Sequence, residues 1–446
     1  MLSALVYSSW TNKEFKLPLI TSGVLLSFSN LLYASAYAQH SVAFAMVGRG
    51  LTGLGGPRGI NRRYIADTTP LDQRTAMSAA FVGGSALGMS VGPGLAVFLE
   101  NLKPFEFHLD FYGKVEVNGL TGPGFVMFIA WAIYVLFVLI FFREPERIVH
   151  VVVGRKASID DVESNDNNSD NATESSSLLN STRGDYYYSL EQPMPNKIER
   201  SKEFSPTKLE HKSSISRCLS LMTIPVYICM MILFVNKLGT EMVISSLPMI
   251  THRRFDWSVS TVGLLSSMIG LLVVPIAGAV AFMAKQMNDR ELLKKLTVVA
   301  AFGMFLLVDW AEFIFGVGKG GAYFDEVTKE HIFPEHNPFF LSILSPGPVQ
   351  YALGVVIVFS ALQGAESVVM STLSKVVSPD LAAGTFNSGL LSTEVGTLGR
   401  AVGDAYITIA GLISRNGMDN LLFVPGFAFL ATSLGLIVVF YEELFV

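Results

Sequence analysis

Four cationic side chains lie within segments that are otherwise apolar enough to be membrane helices. They are Arg49, Arg58, Lys237 and Arg400. A cation at the centre of a membrane helix costs about 2.5–3.5 kcal/mol on insertion scales, so such residues usually face a bundle interior or a water-filled cavity. Two interpretations stay open: internal ion pairs that lock helices together, or a pathway whose positive field attracts an anion.

Acidic residues at helical spacing provide partners for two of these cations. Glu241 follows Lys237 by four positions, and Asp404 follows Arg400 by four positions. Side chains four residues apart are neighbours on one helix face. The sequence therefore predicts the pairs Lys237–Glu241 and Arg400–Asp404.

Two further carboxylates, Glu366 and Glu394, lie in predicted helices without an obvious neighbour of opposite charge. They are candidates for proton coupling. The alternative is that they pair across the bundle with Arg49 or Arg58.

The sequence does not predict an enzyme. It shows no nucleophile–base arrangement, no cluster of metal ligands and no phosphate-binding loop, and its two cysteines, Cys218 and Cys229, form neither a disulfide framework nor a zinc pattern. We therefore expect no catalytic residue, no metal, no cofactor and no nucleic-acid partner.

The composition predicts an integral membrane protein in contact with lipid. Only 15% of the 446 residues are charged and 50% are hydrophobic, whereas a soluble domain has about 25% charged residues. The mean hydropathy is +0.46.

The elements that must position the charged residues are long apolar helices. A spanning helix needs about 20 mostly apolar residues. Residues 1–10 are too short to span and resemble the end of another helix. The ten full candidates are 17–38, 42–65, 76–99, 122–142, 221–248, 257–284, 292–316, 348–372, 382–413 and 421–441.

A polar loop divides these helices into two groups. Residues 160–182 are rich in Asp, Glu, Ser and Asn, and such a composition cannot bury enough apolar surface to order the chain. We expect an incomplete N-terminal bundle at 1–142, a disordered cytosolic loop at 143–217 and a six-helix C-terminal bundle at 218–446.

Basic residues predict the orientation. With the central loop in the cytosol, 21 Lys and Arg lie on the cytosolic side and 7 on the other. Cytosolic loops carry an excess of basic residues. Without the long loop the difference is 10 against 7, so the loop contributes most of the bias. Arg62 and Arg63 are counted here as cytosolic.

Glycine-rich motifs resemble those of the major facilitator superfamily. Residues 49–55 contain an arginine followed by glycines, as on that fold's fourth helix, and residues 142–147 are also typical of it. Glycines four apart leave a smooth stripe for close helix approach. On the next helix the predicted packing motif consists of Gly84, Gly88, Gly92 and Pro93.

Three longer strings, 59–67, 85–93 and 384–400, resemble the SPX–MFS vacuolar phosphate transporters. The resemblance covers about 1–148 and 221–446. It implies an all-α membrane protein with two six-helix bundles, of which the first helix and half of the second are missing here, together with the SPX domain. The superfamily's acidic residue between the second and third helices appears here as Asn12.

The central loop contains a candidate sorting signal. Glu174, Leu178 and Leu179 fit the acidic dileucine pattern that clathrin adaptors read. Rival glycosylation sequons at Asn167, Asn171 and Asn180 would matter only if the loop were lumenal. The positive-inside count favours the cytosol, so we expect the sequons to be unused.

These features together predict a transporter of a small inorganic anion. The resemblance makes phosphate the first candidate substrate and a vacuolar or lysosomal membrane, with its lipid, the expected location. Arg49, Arg58, Lys237 and Arg400 would form the substrate pathway. The alternatives are a proton-coupled transporter of another solute, a non-transporting membrane sensor, or a truncated remnant.

Overall fold

The computed structural model describes most of the helical part of the chain and only short pieces of its loops. The described residues are 2–100, 105–109, 113–119, 121–145, 148–152, 189–193, 220–315, 323–324, 331–332, 344–382, 384–413 and 418–444.

The N-terminal bundle runs up and down through six helices in chain order. They are α1 (Leu2–Trp10), α2 (Lys16–Ala38), α3 (Val42–Leu54), α4 (Arg58–Thr68), α5 (Arg74–Glu100) and α6 (Gly122–Phe141).

The prediction of one continuous helix at 42–65 is wrong, because the segment breaks into α3 and α4. The break is at Gly55, Gly56 and Pro57. Proline has no backbone N–H and disfavours helical geometry in the residue before it. Pro57 therefore ends the first helix and serves as the N-cap of the second.

The C-terminal bundle contains the remaining helices. The helix predicted at 292–316 is interrupted after Leu307, and the helix predicted at 382–413 begins six residues later, at Ser388. The helices are α7 (Ile224–Ile244), α8 (Leu247–Phe255), α9 (Val259–Met283), α10 (Asp289–Leu307), α11 (Trp310–Phe315), α12 (Pro348–Val376), α13 (Pro379–Ala382), α14 (Ser388–Ile413) and α15 (Met418–Val439).

Seven helical spans of the described residues are long and apolar enough to cross a membrane. They are α2, α5, α6, α7 with α8, α9, α12 and α15. The predicted spans at α3–α4, α10 and α14 do not meet this standard. The first is broken, and the other two carry several charged residues. The protein is nevertheless an integral membrane protein by its apolar helices.

Three small antiparallel hairpins lie in the connections between helices. Strands β1 (Phe105–Leu109) and β2 (Gly113–Val117) pair after α5, and β5 (Tyr323–Phe324) pairs with β6 (His331–Ile332) before α12. Strands β3 (Ile148–Val152) and β4 (Ser189–Pro193) pair within the central loop.

The chain forms two compact units. One contains both helix bundles, 1–145 and 208–446, and the other contains residues 146–207. Most of the loop that we expect to be disordered lies outside the described residues, and so do Glu174, Leu178 and Leu179.

The two bundles meet along several helices. α5 packs along α9, and α4 packs against α14. α12 lies in the centre, where it contacts α5, α7, α9 and α10. Most residues of its apolar stretch are buried. We call the end of the bundle where α6 ends and α7 begins the loop end, and the opposite end the far end.

Candidate functional site

A buried charge triad joins the two bundles. Glu366 of α12 accepts a hydrogen bond from Arg62 Nη2 of α4 through Oε1 at 2.7 Å. Its Oε2 accepts a second bond from Lys237 Nζ of α7. The side chains of all three are at most 8% exposed. One carboxylate therefore bridges two cations in the interior.

The helix break at Pro57 places the start of α4 beside this triad. Arg58 is the first residue of α4 and is exposed. It lies within electrostatic reach of Arg62, Glu366, Arg400 and Glu241. A helix N-terminus carries partial positive charge and free N–H groups. Discontinuous membrane helices direct such ends at anionic groups, so the break adds to the positive field.

Glycines on α14 bring the fourth cation to the cluster. A Cβ built on Gly399 would lie 2.9 Å from the Phe234 carbonyl oxygen, and one on Gly403 would lie 2.8 Å from Glu241 Cβ. Only glycine permits α14 to approach α7 this closely. The approach leaves Arg400 Nε 3.9 Å from Glu241 Oε2.

The resulting cluster carries a positive excess. Four cations and two carboxylates leave two net positive charges between α4, α7, α12 and α14. Its members are Arg58, Arg62, Lys237, Arg400, Glu241 and Glu366.

Several buried polar atoms beside the triad have no hydrogen-bond partner among the described residues. They are Arg62 Nε, both amide atoms of Asn236 and Oε1 of Gln363. Asn236 precedes Lys237, and Gln363 lies three positions before Glu366 on α12. A buried polar group left unpaired costs about 1–3 kcal/mol. Water or a polar solute at this level would satisfy these atoms.

A small cavity adjoins the triad on its loop-end side. Its volume is about 20 Å³, room for about one water molecule, and Arg62 lines it. Four serine side chains from α5, α12 and α14 line it as well, so its wall is suited to a water molecule. They are Ser78, Ser374, Ser388 and Ser392.

Both predicted ion pairs within single helices are wrong. Lys237 pairs with Glu366 instead of Glu241, and Arg400 lies near Glu241 instead of Asp404. The i, i+4 rule considers one helix at a time. The glycine-lined contact between α7 and α14 offers each cation a partner on another helix.

The prediction that Glu366 has no cationic neighbour holds only along its own helix, because across the bundle it has two. Its pairing across the bundle involves Arg62 and Lys237 rather than Arg49 or Arg58. Glu394 is half-buried on α14. Its role in coupling stays a prediction.

The structure does not bring Arg49 into the cluster. Its guanidinium lies 4.1 Å from the centroid of the Tyr33 ring of α2, and the residue is exposed. The other three predicted pathway cations, Arg58, Lys237 and Arg400, lie together.

Sequence reasoning missed Arg62, which was assigned to the cytosolic side. It is 9% exposed and central to the triad. One signal could have found it: Arg62 follows Arg58 by four positions, so both lie on one helix face. Residues 42–65 were predicted as one continuous span, so Arg62 lay near its predicted end and was counted as cytosolic.

The predicted glycine stripe on α5 faces open space among the described residues. A Cβ on Gly84, Gly88 or Gly92 would meet no described atom within 4 Å. Close approach to α9 occurs on the neighbouring face, where Gly270 lies against Ser90 and Ala86. A packing role for the stripe stays a prediction.

Polar contacts hold the two bundles together at the loop end. Arg74 of α5 donates to the Ser374 carbonyl oxygen of α12 at 2.8 Å. Thr75 Oγ1 donates to Asp289 of α10 at 2.9 Å, and Lys375 Nζ donates to the same carboxylate at 2.7 Å. The bundles are therefore closed against each other at this end.

A second buried arginine ties the C-terminal bundle together at the far end. Arg254 donates to Asp419 Oδ2 at 2.6 Å, and to Asp309 Oδ2 and Ser345 Oγ at 2.8 Å each. These residues come from α8, α15 and the segments that flank α10 and α12. We call this group the Arg254 staple.

A neighbouring carboxyl group extends the Arg254 staple. Glu312 accepts a hydrogen bond from Asn420 Nδ2 at 3.0 Å. Burial, together with the Asp309 and Asp419 carboxylates, raises the pKa of Glu312 above its ordinary value. The carboxyl groups of Asp309, Glu312 and Asp419 lie close together, and Arg254 offsets the repulsion between them.

A comparison with protein families matches the description Major Facilitator Superfamily over residues 1–403. The chain belongs to the Major Facilitator Superfamily. Solved structures of the superfamily share its fold. The human organic anion transporter MFSD10 (TETRAN) has a TM-score of 0.56 at 15% identity, and the match covers 98% of this chain and 80% of the MFSD10 chain. The E. coli fucose:proton symporter has a TM-score of 0.59 at 10% identity, and the match covers 100% of this chain and 88% of the symporter chain.

Curated relatives of the chain are named SPX domain-containing membrane proteins. Two from Arabidopsis thaliana are 32% and 33% identical over 95% of this chain, which corresponds to 54% and 55% of their own length. One from Oryza sativa is 32% identical over 97% of this chain and 56% of its own length. The chain thus spans about half the length of these relatives. The predicted resemblance and the all-α superfamily fold are confirmed.

Proposed function

We propose that the protein transports a small inorganic anion, with phosphate as the first candidate, across a vacuolar or lysosomal membrane by alternating access. The observation that carries this proposal is the positive cluster between the bundles. It combines net positive charge, unpaired buried donors and residues of both bundles in one place.

The chemistry of the cluster suits an oxyanion. A guanidinium presents donors in a fork that matches two oxygens of a carboxylate or phosphate, whereas an ammonium is a compact point charge. Arg62 and Lys237 already bind a carboxylate through its two oxygens. Arg58 is exposed and pairs with no described residue, so it is free to meet an incoming anion.

The arrangement of contacts supports alternating access. The bundles are closed at the loop end by the Arg74 and Thr75 contacts. Transporters of this kind open to one side at a time around a central site at the interface of two halves. In this state an anion would reach Arg58 from the far end, and opening to the cytosol requires the loop-end contacts to separate.

Phosphate and the vacuolar location come from the family resemblance. The relatives carry an SPX domain by name, and the SPX–MFS family implies phosphate carried into vacuoles. A clathrin adaptor that reads Leu178 and Leu179 would supply the sorting step. A membrane potential contributes about 2.3 kcal/mol per charge per 100 mV, so an inside-positive compartment accumulates an anion without a coupled ion.

The test is uptake of labelled phosphate by proteoliposomes that contain the full chain. A potassium diffusion potential that is positive inside should increase uptake, and unlabelled phosphate should compete better than sulfate or nitrate. Empty liposomes are the control. Phosphate flux that ignores the potential but follows an imposed pH gradient would contradict the uncoupled mechanism and support proton coupling.

Two other outcomes would overturn the substrate or the activity. Sulfate or nitrate that competes better than phosphate would assign a different anion. An absence of both flux and phosphate binding in folded protein would favour a non-transporting membrane protein.

A further inference from the structure

We propose that Glu366 acts as an internal stand-in for the transported anion: its carboxylate occupies the position between Arg62 and Lys237 that the substrate takes during transport. The inference rests on the proposed function and deepens it, because it states what the substrate must displace. We call this position the anion position.

The geometry of the carboxylate is that of a bound ligand. Each oxygen has its own cation: Oε1 accepts from Arg62 Nη2 at 2.7 Å, and Oε2 accepts from Lys237 Nζ. The two donors come from different helices, α4 and α7, and the acceptor from a third, α12. An oxyanion edge also offers two oxygens, so it fits the same two donors.

Glu366 does not satisfy every hydrogen-bond donor at the anion position. Arg62 Nε is buried and has no partner among the described residues. A carboxylate has only two oxygens, whereas phosphate and sulfate have more. The substrate would therefore satisfy a group that Glu366 leaves unsatisfied, which gives it a reason to displace the carboxylate.

The surrounding charges define the competition. Glu366 faces Arg58 and Arg62 from α4, Lys237 from α7 and Arg400 from α14. Glu241 of α7 faces Arg58 and Arg400. With Glu366 charged, the cluster has two net positive charges. Once its carboxylate is neutral, the cluster has three. The residue therefore lowers the affinity of the empty site and helps to release a bound anion.

A purely structural ion triad predicts no gain in phosphate affinity when Glu366 is neutralised. If Glu366 only stabilises the fold, its neutralisation weakens the protein without improving anion binding. If it occupies the anion position, its neutralisation frees that position. The two interpretations therefore differ in whether neutralisation of Glu366 tightens phosphate binding.

The experiment measures inorganic phosphate binding to the full chain in lipid nanodiscs, by calorimetry or labelled-phosphate filtration. Glu366→Gln should lower the Kd on the order of tenfold, because the apparent Kd scales inversely with the fraction of molecules whose site is free. The same variant should transport more slowly than the wild type, since nothing then displaces the bound anion. Asp404→Asn removes an exposed carboxylate from α14 outside the cluster and should leave the Kd unchanged.

A second variant separates affinity from folding. Glu366→Gln with Lys237→Gln restores the net charge of the wild-type cluster, so it should fold without showing the gain in phosphate affinity. Thermal unfolding with phosphate, against equal ionic strength of sodium chloride, completes the test. If Glu366→Gln is unstable but phosphate restores it selectively, the proposal is supported, and if phosphate fails to restore it, the proposal is overturned.

The outcomes also distinguish this proposal from the proposed function. Wild-type binding of phosphate, together with unchanged or weaker binding by folded Glu366→Gln, overturns the role of Glu366 alone. Equal tightening by Asp404→Asn does the same, because it would show a general charge effect. Binding by Glu366→Gln but not by the wild type supports both, and binding by neither overturns both.

Discussion

Arg62 Nη2 and Glu366 Oε1 are 2.7 Å apart although the two residues are separated by 304 positions in the chain. Arg62 belongs to the N-terminal bundle and Glu366 to the C-terminal bundle. The bond therefore crosses the interface that opens at the loop end in the proposed alternating-access cycle. Lys237, the other partner of Glu366, lies on the same bundle as Glu366 and does not cross it.

This difference predicts that Arg62→Gln shifts the protein towards a state open at the loop end, whereas Lys237→Gln does not. A buried hydrogen bond to a charged group contributes about 1.5–3 kcal/mol, so its loss should change the ratio of states by tenfold or more. Nitroxide labels at the exposed positions 13 and 286 report the separation of the bundles by pulsed dipolar spectroscopy. Identical distance distributions in the two variants would contradict the prediction.

Arg58 and Arg49 form a matched pair for testing the substrate pathway. Arg58→Gln should reduce phosphate flux at least tenfold while the protein remains folded, and Arg49→Gln should leave flux within about twofold, because Arg49 contacts the Tyr33 ring instead of the cluster. Lysine at position 58 should rescue flux only in part, since an ammonium loses the two-point contact. The measurement is proteoliposome uptake normalised to protein. Equal losses in both variants would show that the cluster does not define the pathway.

Arg254 should contribute more to stability than to transport. Its replacement by glutamine leaves the Asp309 and Asp419 carboxylates without their cation. Removing one partner of a buried ion pair costs about 3–5 kcal/mol, and thermal unfolding in detergent should show a large loss. Lys295→Ala is the control, because it removes only exposed contacts, to Glu291 and to Met287, and solvent screens exposed pairs so that they contribute little to stability. Unfolding temperatures that fall equally would disprove a special role for the Arg254 staple.

The dileucine motif predicts the cellular location. Replacement of Leu178 and Leu179 by alanine should move a tagged protein from the vacuolar or lysosomal membrane towards the cell surface, as seen by fluorescence microscopy. Alanine in place of the nearby Asn180, a sequon residue, serves as the control and should change nothing. If the double variant keeps its location, the motif is a chance match.

The sequence predicted the architecture well because membrane helices have a strong local signal. Length and apolar content are properties of one segment, and most predicted spans correspond to helices in the structure. The exceptions are the segment at 42–65, which is broken, and the one at 292–316, which is interrupted after Leu307. Gly55, Gly56 and Pro57 carried the signal for the break within 42–65. A count of apolar residues does not register it, because none of the three is charged.

The cluster was predicted only in part, because its contacts lie between segments distant in the sequence. Spacing within a helix correctly placed Lys237 and Glu241 on one face but wrongly predicted that they form an ion pair with each other. Their true partners, Glu366 and Arg400, come from α12 and α14. No pattern within one segment shows which helices are adjacent, and the glycines of α14 acquire their meaning only against α7.

The break between α3 and α4 also bears on how the protein is made. The ribosome synthesises α4, with Arg58, Arg62 and Arg63, long before α12, and at about 5–20 residues per second roughly 15–60 s pass between Arg62 and Glu366. During that time Arg62 has no acidic partner from the C-terminal bundle, so α4 is a poor candidate for stable insertion as soon as it emerges. We therefore expect the final placement of α4 in the bilayer to follow the synthesis of the second bundle.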